Sequence, residues 1–266
     1  MNFHLHLIGR HAILSMVFMT VSYVMYFLAD YLIIRTSFQR KSFGQAPVPA
    51  GILLGSAMAA LIGPFTDQRH LFPYGPGERS YLLVIWALSV TMQAFIFGQY
   101  FAYARGIPDG RRLPLGILAS IGAFLFSWLF VTFYQDLYVN EIFAIATLLM
   151  AIGYVVSLSR HSELRGMPVS GAWLYTGAIT FAEIGTWVGS MDAAYPEANL
   201  DARMRQIREI AELRGMRLSE MELAELADSP AGGYTFIYFL WIAASLLMAW
   251  YSWHLQRRER QGVPNA

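Results

Sequence analysis

Residues 170–192, SGAWLYTGAITFAEIGTWVGSMD, place one carboxylate, Glu183, inside a run that carries no other charge before Asp192. Read at helical spacing, Trp173, Thr176, Thr180, Glu183, Trp187 and Ser190 share one face, while Ala178, Ala182, Gly185 and Gly189 share the opposite one. A helix of this length crosses a hydrocarbon core of about 30 Å. Small residues every three or four positions let a neighbouring helix come close, and GTWVG at 185–189 is one such small-xxx-small pair. An ionised Glu183 facing lipid would cost about 2.5 to 3.5 kcal/mol. Its face is therefore expected to look into protein or a wet cavity, which gives this helix protein on both sides.

The rest of the chain reads the same way. Of 266 residues, 56% are hydrophobic and only 14% charged, against about 25% charged in soluble domains. The charges gather in short clusters between apolar runs of membrane-spanning length. The expected fold is an all-α integral membrane protein of about seven transmembrane helices, with spans near 12–34, 49–65, 81–104, 113–134, 139–158, 170–192 and 234–255. This divides the chain into a six-span bundle over 1–190, an extramembrane helical hairpin over 191–233, and a seventh span with a basic tail over 234–266. The apolar start is too long for a cleaved signal, so it is read as an uncleaved first span.

Polar residues inside the spans are few. Along the first, Ser15, Ser22, Tyr26 and Asp30 share a face, and Asp30 lies about one turn from the end, where it is expected to reach the interface. The second span holds Gly51, Gly55, Ala59 and Gly63, two small-xxx-small pairs in succession, and should pack tightly. The third stacks Ser89, Gln93, Tyr100 and Tyr103; a buried amide such as Gln93 needs a partner, and Glu183 is one candidate. The last span is apolar and aromatic, with Trp250, Tyr251 and Trp253 placed as an interfacial belt.

The hairpin carries an apolar stripe, Leu200, Met204, Ile207 and Ala211, followed by a stop at Gly215 and a capping box at Ser219 and Glu222. Its stripe either folds back on the membrane domain or is a docking surface for a partner. Five Arg against eight Asp and Glu give it a net charge of minus three, which argues against an anionic lipid surface.

Orientation follows from the loops. Arg35, Arg40 and Lys41 follow the first span, Arg105, Arg111 and Arg112 the third, Arg160 and Arg165 the fifth, and Arg257, Arg258 and Arg260 the seventh. The other side has Arg10, Arg69 and Arg79 if the hairpin is set aside. The positive-inside rule then expects an inner-membrane protein with its N-terminus outside and its C-terminus cytoplasmic, although the hairpin's five arginines weigh the other way.

Several chemistries are disfavoured. There is no cysteine, so iron–sulfur clusters and thiolate sites have no ligands. The last span lacks the lysine that retinal would need, and His11 and His254 lie at opposite faces, which argues against haem. His4, His6, His11 and His70 share the outer side and are weak metal candidates, better read as interfacial histidines. A net charge of +1 with no dense basic run gives nucleic acid no footprint. No nucleophile elbow, P-loop, zinc-protease helix or dinucleotide fingerprint is present.

Packing signals outnumber site signals. The leading expectation is accordingly a non-catalytic subunit or scaffold of a larger membrane assembly, whose partners are the bilayer and other membrane proteins. The alternative is a proton-linked transporter or channel built on Glu183 with Gln93, Thr180 and Asp30, with Asp30 as the second relay group toward the opposite face. A membrane enzyme comes third, because no two catalytic groups share a depth.

Overall fold

The computed structural model describes residues 12–45, 47–62, 76–103, 140–159, 166–194, 217–228 and 232–261, with isolated helical positions between 114 and 125 and between 204 and 212. Among the described residues all the regular structure is helical, without strands. The helices are α1 (Ala12–Arg40), α2 (Pro47–Ile62), α3 (Pro76–Tyr103), α4 (Asn140–Ser159), α5 (Val169–Ala194), α6 (Glu220–Asp228) and α7 (Gly232–Arg260). Six of them are long and occupy the places of six of the seven expected spans; the seventh helix, α6, is the short second limb of the hairpin. The expected span at 113–134 falls largely outside the described residues. Among the described residues two helices are long and apolar enough to cross a membrane, over Val17–Arg40 and Leu83–Tyr103.

Helix boundaries follow local chemistry. α1 contains neither Gly nor Pro and ends in a Schellman turn: the Ser42 N–H donates to the Ser37 carbonyl at 3.1 Å, and Lys41 takes the left-handed position with φ of 48°. Glycine normally fills that place, and a side chain there costs about 1 kcal/mol or more. Lys41→Gly is therefore expected to raise stability by about 0.5 to 1 kcal/mol, read as a higher melting temperature in mild detergent. α2 tolerates Pro47 and Pro49 because both lie in its first turn, where the N–H groups have no intrahelical acceptor. α6 opens on the expected capping box: the Ser219 N–H donates to Glu222 Oε2 at 2.7 Å, and the Glu222 N–H donates to Ser219 Oγ at 3.3 Å. Ser219→Ala should cost about 1 kcal/mol locally, seen as faster amide exchange across 220–228 with the rest of the molecule unchanged. An exposed Arg208–Glu220 ion pair joins this limb to the preceding one.

The six long helices close into a ring in the order α1, α5, α7, α4, α2, α3 and back to α1. The most extensive seam is α1 against α5, and it is antiparallel. Ser22 Oγ donates to the Ala178 carbonyl at 2.7 Å near one end, and the Gly166 N–H donates to the Phe43 carbonyl at 3.3 Å just beyond the other. The face of α5 that meets α1 is the small one: Ala178 and Ala182 are buried, and Gly185 lies against Phe18 and Met19. Small side chains bring the two backbones together along several turns. The opposite side of α5 clasps α7 through paired hydroxyls, Thr176 with Ser252 and Thr180 with Ser245, each at 3.0 Å. α2 buries Gly51, Gly55 and Ala59 against its neighbours α3 and α4.

Candidate functional site: a carboxylate inside the ring

Asp30 occupies the interior of the ring and is 0% exposed. The sequence had suggested a group reaching the surface. Its position on the same face as Ser22 and Tyr26 instead turns it toward α5, because that polar face is the one α5 covers. Two side chains hold the carboxylate. Gln93 on α3 donates from Nε2 to Oδ2 at 2.9 Å, and the Tyr175 hydroxyl on α5 donates to Oδ1. The same Gln93 nitrogen lies 3.2 Å from the Tyr26 hydroxyl, so its two N–H groups serve Asp30 and Tyr26. Gln93 is 1% exposed and Tyr175 0%.

A set of tyrosines extends the site. The Tyr26 and Tyr175 rings are 5.1 Å apart, Tyr175 and Tyr154 6.3 Å, and Tyr154 stacks on Tyr251 at 5.0 Å. Tyr154 lies on α4 and Tyr251 on α7, so five of the six ring helices converge on this interior. Tyr251 is thus a core residue rather than part of a surface belt, whereas its neighbours Trp250 and Trp253 are exposed.

The chemistry of the pocket is specific. Both carboxylate oxygens accept from neutral donors, an arrangement that suits an ionised carboxylate. Among the described residues no Arg, Lys or His pairs with Asp30. The remaining acceptor, Gln93 Oε1, is buried without a partner. Protonation of Asp30 would add a donor beside it. A rotation of the Gln93 amide would present Oε1 to the new O–H only by withdrawing the N–H groups that serve Asp30 and Tyr26, so each protonation state leaves part of this amide without a partner.

The other residues singled out from the sequence lie elsewhere. Thr180 serves the α5–α7 clasp, donating to the Thr176 carbonyl at 2.9 Å. Glu183 is half-buried on α5, eight residues beyond Tyr175 and so about 12 Å farther along the helix. Among the described residues Glu183 has neither a hydrogen bond nor an ion pair, and Gln93 pairs with Asp30 instead. Of the hairpin stripe, Met204 is helical and half-buried, while Leu200, Ile207 and Ala211 lie outside the described residues, as do His4, His6, His11 and His70. Among the described residues no three His, Cys, Asp or Glu side chains come together to hold a metal. Tyr154 and Tyr175 were not singled out from sequence; the available signal was a hydroxyl in the middle of an apolar run, which needs an acceptor.

The fold and site together define, among the described residues, an all-helical protein with two helices capable of crossing a membrane and a carboxylate enclosed by hydroxyl and amide donors. Comparison with family models, with curated proteins and with solved structures gave no match.

Proposed function

We propose that this chain is a multi-pass inner-membrane protein that moves protons, alone or with a solute, through Asp30. The carrying observation is a fully buried carboxylate that, among the described residues, has no counter-cation and is held by an amide and a hydroxyl, with a run of tyrosines beside it. Ionisable groups inside a membrane bundle are costly, and proton relays are a principal use of them. The membrane assignment rests on the outward side of α1, where Leu14, Val17, Val24, Leu28, Tyr31 and Phe38 are exposed. So large an apolar surface suits lipid and not water. α5 lies antiparallel along α1 and α7 along α5, so these helices share its depth. The basic clusters put the C-terminus in the cytoplasm.

Purified full-length protein in liposomes containing a pH-sensitive dye tests this reading, with a potassium diffusion potential to drive protons. Proton entry should exceed that of protein-free vesicles and fall to their level in Asp30→Asn, while Glu183→Gln keeps most of it. Wild-type flux equal to that of empty vesicles, or full flux in Asp30→Asn, overturns the reading. A second reading, a non-catalytic subunit or scaffold of a larger assembly, is favoured by the small-residue outward face of α3.

A further inference from the structure

Asp30 exchanges protons with bulk water only if water reaches it, and the structure shows it sealed. One turn along its face, toward the C-terminal end of α1, stands Ile33, and a further turn on stands Ser37; both are 0% exposed. What covers this row is the turn between α1 and α2, residues 41–45. Gly44 is packed so closely that an added Cβ would lie 2.6 Å from Ile33 Cγ2 and 3.0 Å from the Gly166 carbonyl carbon. Phe43 sets its ring edge-on to Tyr100 of α3 at 5.9 Å. A backbone hydrogen bond from the Gly166 N–H to the Phe43 carbonyl, 3.3 Å long, ties the turn to the segment before α5.

The turn is tightly packed and poorly bonded. The Ser37 and Ser42 hydroxyls, both amide atoms of Gln45 and the Tyr100 hydroxyl are buried without a hydrogen-bond partner among the described residues. Each gives up its bonds to water when the turn closes and regains them when it opens. The buried hydroxyls of Thr176 and Ser252, by contrast, are spent on each other. Lys41, at the start of the turn, is held in the left-handed conformation, which also favours release. Gly44 and Gly166 meet without side chains, so the two backbones separate with no interlocked group to disengage.

We propose that the 41–45 turn is a gate: it lifts from Ile33 and Gly166, admits water to Ser37 and past Ile33 to Asp30, and closes again, so that Asp30 exchanges protons with the solvent at the C-terminal end of α1. The gate rests on the proton reading of Asp30 and supplies its route on one side.

The absence of cysteine makes the test direct. In the full-length protein in liposomes, Ser37→Cys should react with a water-soluble thiosulfonate about tenfold faster or more than Ser252→Cys, which is equally buried but lies in the α5–α7 seam. Gln45→Met keeps the length of the side chain and removes the unspent amide. It should raise the melting temperature, slow the Ser37→Cys reaction about fivefold and slow proton entry in the otherwise wild-type protein by a similar factor, because the closed turn then gains less by opening. Ser42→Ala, a smaller change, should act in the same direction. Equal reaction rates at the two cysteines, no stabilisation by either variant, or a stabilised protein with undiminished flux overturns the gate and leaves Asp30 its proton role. Wild-type flux equal to that of empty vesicles overturns that role and the gate with it.

Discussion

Replacing Asp30 by alanine is expected to cost about 3 to 5 kcal/mol of stability, a large share of the about 5 to 15 kcal/mol that holds an ordinary domain together. The side chain is small, so lost packing is the lesser part. The cost comes from the donors left behind: the Tyr175 hydroxyl and one N–H of Gln93 would remain buried with nothing to receive them. Asp30→Asn should cost less, because the asparagine oxygen still accepts from Tyr175 while its NH2 faces the NH2 of Gln93. Adding Gln93→Glu to Asp30→Asn reverses donor and acceptor and should recover most of that loss. SDS titration from mild-detergent micelles, followed by tryptophan fluorescence, measures all four proteins of the cycle. If the double variant is no more stable than the sum of the singles predicts, the two side chains do not act as a pair.

The second large effect is steric. A Cβ at Gly166 would lie 2.7 Å from the Gly44 nitrogen and 2.9 Å from its Cα, and would overlap Ser37 Oγ. Two of these three are backbone atoms, so no rotamer change relieves the collision. Gly166→Val is expected to cost more than about 4 kcal/mol and to leave little folded protein. Gly177→Ala makes the contrast. There the new atom meets only the thioether end of Met25, a flexible group that can turn aside, and the cost should stay near 1 kcal/mol or below. Gly185→Ala, which meets Phe18 Cβ at 3.2 Å and the Met19 nitrogen at 3.3 Å, should fall between them. Folded yield after detergent extraction ranks the three; equal yields would mean that the α1–α2 turn does not lie against Gly166.

Much of this could be read from the chain. The small face of 170–192 announced a close neighbour, and α1 occupies it. The shared face of Ser22, Tyr26 and Asp30 was legible from helical spacing alone, as was the need of Gln93 for a partner. What spacing could not supply was depth. Asp30 and Glu183 are both carboxylates in apolar helices, and their distances from the ends of those helices made Glu183 look the more enclosed. Burial is decided by which helices meet, and the ring order places Asp30 inside and Glu183 toward the rim. The hydroxyls of Ser245 and Ser252 passed unnoticed because each stands alone among apolar residues, and only the facing threonines of α5 give them a role.

The antiparallel seam between α1 and α5 also has a consequence for how the chain is made. Asp30 is separated by 63 residues from Gln93 and by 145 from Tyr175. At about 5 to 20 residues per second, the ribosome delivers Tyr175 about 7 to 30 s after Asp30. Throughout that interval the first helix carries its carboxylate without the hydroxyl that later holds it. The site is therefore completed only when α5 is made: in a chain ending before Tyr175, Gln93 would be the one side chain among the described residues left to donate to Asp30.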